Sequence, residues 1–128
     1  MRQIIIMVLG LSAIVLADMT PQKYWELEIK IRALTIDGMQ KRVECLEESN
    51  CSLDRQMVIF DKSQEKIVQI FKEFDTTPSK ELVYENRNKK LIEEYFENNQ
   101  SIQEEIDSLK EKFENYSNQL STIMENRS

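Results

Sequence analysis

The chain has 128 residues and no histidine. Histidine is the commonest general base near neutral pH, and it activates the nucleophile in Ser/His and Cys/His pairs. Its absence also removes the Glu-x-x-His ligands that hold di-iron centres in helical bundles. We therefore predict that the protein is not an enzyme and that it holds no metal or other cofactor.

Glycine and proline are also scarce, with two residues of each in the chain. Two isolated glycines cannot form a glycine-rich phosphate loop, and no segment has the alternation and turn signals of a β-hairpin. Both prolines follow threonine, in Thr20-Pro21 and Thr77-Pro78. A threonine cap before proline is typical of a helix start, and Ser52 provides a third such start.

These signals predict an all-α fold, a small antiparallel bundle in which four helices are favoured. We expect a single helical domain over residues 18–128. Its helices should cover about 21–48, 53–74, 78–97 and 102–125. One heptad stripe of the second helix is expected to be core because it is rich in aromatic residues, and it consists of Leu53, Met57, Phe60, Ile67, Phe71 and Phe74.

The region around Asn99 allows two interpretations. An apolar heptad pattern continues from Ile92 to Ile123, which favours one long coiled-coil helix after a helical hairpin, with Asn99 fixing its register. The segment ENNQSIQEE instead contains an Asn-Asn stop followed by a capping-box pattern. A continuous helix would be roughly 70 Å long and would expose its apolar stripe unless a second chain covered it. We therefore favour a break at 98–100.

The first residues resemble an export signal. Arg2 precedes an apolar run from Ile4 to Leu16, and the small residue Ala17 follows it. This run is shorter than the roughly twenty residues that a membrane-spanning helix needs. We expect residues 1–17 to be a cleavable secretory signal peptide and the protein to be exported, periplasmic or extracellular, without stable membrane insertion. An uncleaved anchor is the alternative.

The two cysteines, Cys45 and Cys51, lie between the first two predicted helices. An even number of cysteines in a small exported domain usually indicates a disulfide. Their spacing differs from the C-x-x-C of redox catalysts, and two thiolates without histidine make a weak metal site. We predict a structural disulfide that joins the two helices.

The net charge of −6 disfavours nucleic acid and anionic lipid as partners, because both require phosphate-neutralising cations. Clustered glutamates fit the solvated faces of helices better than an acid/base pair. Among the Asn-x-Ser triplets, Asn50 and Asn99 fall in predicted loops. These two are therefore candidates for N-glycosylation.

The first helix carries two apolar stripes, which is more than one antiparallel neighbour would bury. We expect part of this surface to bind a protein partner, through Tyr24, Trp25, Leu27, Ile31 and Leu34. The alternative is that the first helix is simply the most enclosed member of the bundle. The leading hypothesis is an exported non-enzymatic helical protein that acts as an accessory subunit, an inhibitor or a chaperone-like binder. The alternative is a self-assembling coiled-coil structural protein of the cell envelope, with a homodimer as its simplest form.

Overall fold

The computed structural model describes residues 19–127, and these residues form five helices and no strand. The predicted all-α class is therefore confirmed. The predicted signal peptide, residues 1–17, lies outside the described residues. The helices are α1 (Pro21–Glu47), α2 (Leu53–Glu73), α3 (Pro78–Arg87), α4 (Lys89–Glu97) and α5 (Gln100–Arg127).

The three predicted helix starts are confirmed by their hydroxyl caps. In each, the capping side chain accepts a hydrogen bond from the backbone N–H three residues later. This satisfies a donor that has no partner within the first turn of the helix. The pairs are Thr20 with Lys23 at 3.1 Å, Ser52 with Arg55 at 3.1 Å, and Thr77 with Lys80 at 3.2 Å.

Helix α2 packs antiparallel to α1. The Nε atom of Arg42 donates to Oε1 of Gln56 at 3.2 Å, and the hydroxyl of Ser63 donates to the carbonyl of Leu34 at 3.4 Å. The two helices approach closely at Gly38. A Cβ atom added to this residue would lie 2.8 Å from Oγ of Ser63. The missing side chain of Gly38 therefore allows this crossing, at the cost of helix propensity.

A disulfide joins α1 and α2 at their connection, as predicted. The sulfur atoms of Cys45 and Cys51 lie 2.06 Å apart. Next to them, Nη1 of Arg55 donates to Glu48 at 2.9 Å and to the side-chain oxygen of Asn50 at 3.3 Å. The turn between the helices is thus held by one covalent bond and by a small polar network.

Helix α5 packs on another side of α1 and runs parallel to it. Leu109 lies beside Ile36, and the guanidinium of Arg127 donates to the carbonyl of Leu46 at 2.6 Å, so both helices advance in the same direction. Helices α2 and α5 each contact α1 extensively and make little contact with each other. Helix α1 is therefore the centre of the fold.

The segment predicted as one helix over 78–97 consists of two helices, and this corrects the predicted count of four. The break is at Asn88, whose backbone has φ −129° and ψ 29°. Its side-chain amide donates to the carbonyl of Tyr84 at 2.9 Å, as does its backbone N–H at 3.0 Å. Asparagine can replace helical hydrogen bonds in this way, and so it ends α3.

The predicted break near Asn99 is confirmed, and the continuous coiled-coil helix is wrong. Helix α4 ends at Glu97 and α5 begins at Gln100. The amide of Asn98 donates to the carbonyl of Glu94 at 2.9 Å, and the amide of Asn99 donates to that of Tyr95 at 2.6 Å. Asn99 therefore caps carbonyl groups at the end of α4 and does not fix a coiled-coil register.

One enclosed part of the molecule surrounds the start of α1. The indole N–H of Trp25 donates to the carbonyl of Ile92 at 3.1 Å, and its ring centroid lies 4.8 Å from that of Phe96. Tyr24 packs edge-on against Trp25 at 5.3 Å, and Leu27 is fully buried. We call this region, residues 21–31 of α1 with α3 and α4, the closed end.

Candidate protein-binding groove

The partner surface expected on α1 is mostly used within the fold. Tyr24 is 5% exposed and Leu27 is 0% exposed, so neither is available to a partner, and this corrects the prediction. Trp25, Ile31 and Leu34 are half-buried. The reason is that α1 has neighbours on more than one side, with α2 and α5 along it and α4 near its start.

The stripe of α2 that was expected to be core is instead exposed over its first half, which is a second correction. Leu53 is 71% exposed, Met57 is 50% exposed and Phe60 is 56% exposed. Further along, Phe71 is buried. Because α5 packs against α1 and makes little contact with α2, the start of α2 has one long neighbour where a closed bundle would provide two.

The exposed apolar side chains of α2 and α5 border a groove with α1 as its floor. Two adjoining indentations of about 260 and 220 Å³ share Thr35 and form this groove. The floor includes Thr35, Met39 and Arg42; the α2 wall includes Gln56, Phe60 and Gln64; and the α5 wall includes Leu109, Lys110, Phe113 and Leu120. We call these residues the three-helix groove.

The length of the groove suits a helix. Its floor extends from Arg32 to Arg42 of α1, which is about 15 Å at 1.5 Å per residue, or roughly three helical turns. Packed helices lie about 8–10 Å apart, and a four-helix bundle surrounds a shared core. A helix placed in the groove would therefore occupy the fourth position of a bundle that α1, α2 and α5 leave incomplete.

The charges in the groove are of one sign. Arg32, Arg42 and Lys110 line it, and neither indentation is lined by Asp or Glu of the described residues. Arg32 is paired with Glu28 at 3.2 Å, whereas the salt bridges within residues 19–127 include neither Arg42 nor Lys110. The groove is thus locally basic in a chain whose net charge is −6.

A carboxyl cluster lies beside the groove, between α1 and α3, and sequence reasoning missed it. The phenol of Tyr24 donates a hydrogen bond to Glu85. Burial raises the pKa of Glu81 to about 9, with a further contribution from its hydrogen bond to Glu28. Burial, together with the bond to Glu85, also raises the pKa of Tyr24. These contacts join helices that are distant in sequence, so helical spacing contains no sign of them.

Glu81 is 9% exposed, and its Oε2 atom has no hydrogen-bond partner within the described part of the chain. A buried carboxyl with a raised pKa is a common feature of catalytic sites. Here, however, the carboxyl faces the adjoining helix, and its neighbours are Glu28, Glu85 and Arg32. We interpret the cluster as the polar contact between α3 and α1.

The two candidate glycosylation sites differ in accessibility. Asn50 is exposed in the turn between α1 and α2, whereas Asn99 is half-buried and its amide is bonded to Tyr95. Modification at either site stays a prediction. Among residues 19–127, no group of three or more Cys, Asp or Glu residues is placed to hold a metal ion. The same residues include no helix that is both long and apolar enough to span a membrane.

Comparison with known proteins identifies no relative of this chain. No protein-family model matches the chain, and neither the curated proteins nor the solved structures include a match. We therefore infer a function from the groove of this chain alone.

Proposed function

We propose that this is an exported, non-enzymatic protein that binds an α-helix of another protein in the three-helix groove. The observation that carries the proposal is the exposure of large apolar side chains along a concave surface of helical length. Phe60 is 56% exposed and Phe113 is 46% exposed, and they stand on opposite walls. Amphipathic helices commonly bind by laying an apolar face into such a groove.

Burial of the two phenylalanines would supply a useful part of the binding free energy. An aromatic side chain buries about 150–250 Å², and roughly half of that area is still exposed on Phe60 and Phe113. At about 25 cal/mol per Å², each ring would contribute on the order of 2 kcal/mol when covered. Met57, one turn from Phe60, and Met124, one turn beyond Leu120, are each 50% exposed and provide adaptable contacts.

The chemistry of the chain supports a binding role over a catalytic one. The sequence has no histidine, and the carboxyl with the strongly raised pKa is packed between two helices. Export is supported by the charged start, apolar run and small residue of positions 1–17. An accessory subunit, an inhibitor and a helix-binding chaperone would all use the groove in this way.

Self-assembly is the competing use of the same apolar surface. Two copies that met groove to groove would present one concave surface to another, and two concave surfaces cannot fill each other. We therefore favour a different protein as the partner.

The proposal can be tested with a photo-activated cross-linker at position 113 of the full chain in the organism that makes it. We expect a cross-link to a helical segment of another protein. Phe60→Ser should abolish it, because Phe60 forms the opposite wall. Leu82→Ser is the matched control, since Leu82 is also 56% exposed but lies on α3. A cross-link to a second copy of the chain, or equal loss in both variants, would overturn the proposal.

A further inference from the structure

We infer that the helix bound in the three-helix groove is acidic, with Asp or Glu side chains along the edges of its apolar face. This inference rests on the proposed function and names the chemical class of the partner. We expect an acidic helix because the groove is positively charged. Arg32, Arg42 and Lys110 are its only charged lining residues within the described part of the chain.

The three cations would not contribute equally to the binding of an acidic helix. The carboxylate of Glu28 already pairs with Arg32, so that charge is partly compensated. Arg42 donates to the neutral side chain of Gln56, and Lys110 is exposed. A carboxylate on the partner would therefore gain most from Arg42 and Lys110. A charged hydrogen bond in a partly covered groove is stronger than the same contact in open solvent.

The positions of Arg42 and Lys110 predict the spacing of the carboxylates on the partner helix. Lys110 lies level with Thr35 and Ile36 of α1, whereas Arg42 lies about two turns further along the same helix. The separation along the groove is about 10 Å at 1.5 Å per residue. Arg42 lies on the α2 side of the groove and Lys110 on the α5 side, so we expect the carboxylates of the partner to be about six residues apart, one at each edge of an apolar stripe.

The net charge of the chain opposes this attraction only at long range. The net charge of −6 would repel an acidic partner across open solvent. At physiological ionic strength, charges separated by more than about 8 Å of solvent are largely screened. Contacts inside the groove are shorter than this distance, so the local cations decide which helix is preferred.

The test uses the full chain with its disulfide intact and three synthetic helical peptides of about 18 residues. All three have the same leucine and phenylalanine face. They differ at two positions about six residues apart, one at each edge of that face, which are Glu in the first, Gln in the second and Lys in the third. Isothermal titration at an ionic strength of about 0.15 M, where the net charge of the chain is screened, should show the Glu peptide binding about tenfold more tightly than the Lys peptide, with the Gln peptide between them. This difference should shrink as salt is added.

Two lysines on α5 provide a matched pair of variants. Lys110→Glu should lower the affinity for the Glu peptide about fivefold and raise that for the Lys peptide. Lys112 is also exposed on α5 but lies beside Ile29 and Ala33, outside the groove. Lys112→Glu should change either affinity by less than about twofold.

The outcomes separate the inference from the proposed function. Equal binding of the three peptides, or preference for the Lys peptide, would overturn the acidic partner and leave helix binding intact, provided that Phe60→Ser abolishes binding. No binding of any peptide would overturn both. A doubled solution mass that the peptides reverse would show that a second copy of the chain occupies the groove, which also overturns the inference.

Discussion

The start and the middle of α1 show how similar amphipathic sequences become core in one place and surface in another. At the closed end, Tyr24 and Leu27 are buried, and Trp25 packs against Phe96 of α4. Further along, α1 forms the floor of the three-helix groove, and Phe60 stays exposed although it belongs to an equally regular stripe. The difference comes from the neighbours, because α3 and α4 pack near the start of α1 and leave the groove uncovered.

Loss of a core side chain should have the largest effect, and this effect should distinguish the closed end from the three-helix groove. Leu27→Ala should lower the free energy of unfolding by about 3 kcal/mol, because it leaves a cavity at a fully buried position. Phe60→Ala removes more atoms but should cost less than about 1 kcal/mol, since that ring is already 56% exposed. Urea unfolding followed by circular dichroism measures both. Equal losses would show that Phe60 is core and that the groove is not open.

The disulfide should matter less than Leu27, and mainly at the end of α1 away from Trp25. Replacing Cys45 and Cys51 together by serine should lower the unfolding free energy by roughly 2 kcal/mol, because the short loop that they close gains freedom in the unfolded chain. Hydrogen exchange should rise near the turn, whereas the fluorescence of Trp25 in the folded protein should stay the same. Altered Trp25 fluorescence would instead mean that the two ends are tightly coupled.

The smallest effect concerns the carboxyl cluster of the closed end. The pKa of Glu81 is about 9 in the folded protein and near 4.5 when unperturbed, so the folded state holds a proton that the unfolded state releases. This group therefore makes stability fall as the pH rises from about 4.5 through about 9. Glu28 and Tyr24 of α1, Glu85 of α3 and Arg32 of α1 surround it.

Glu81→Gln keeps this position neutral and should remove that dependence. Near pH 8 the variant should be more stable than the parent, because its side chain stays neutral, and near pH 4 the two should be equal. Melting temperatures measured across this range provide the test. Glu93→Gln, at an exposed position on α4, is the control and should leave the pH profile unchanged. A parent profile that Glu81→Gln does not flatten would contradict the raised pKa.

Much of the local structure could be predicted because its causes lie within a few residues. Thr20, Ser52 and Thr77 cap their own first turns, and Asn98 and Asn99 bind carbonyl groups one turn back. The break at Asn88 uses the same kind of bond, but a single asparagine inside a helical pattern is a weaker signal than the Asn-Asn pair. The signal peptide and the binding role stay predictions.

The sequence by itself determined the helical class, the three capped helix starts, the pairing of Cys45 with Cys51 and the break before α5. Each depends on hydrogen bonds or covalent geometry between residues that are near one another in the chain. Only the tertiary structure decided which apolar stripe is buried, that Glu81 meets Glu28, and that a basic groove lies between three helices. Those features depend on the parallel packing of α5 against α1, and helical periodicity does not specify which helix will lie beside another.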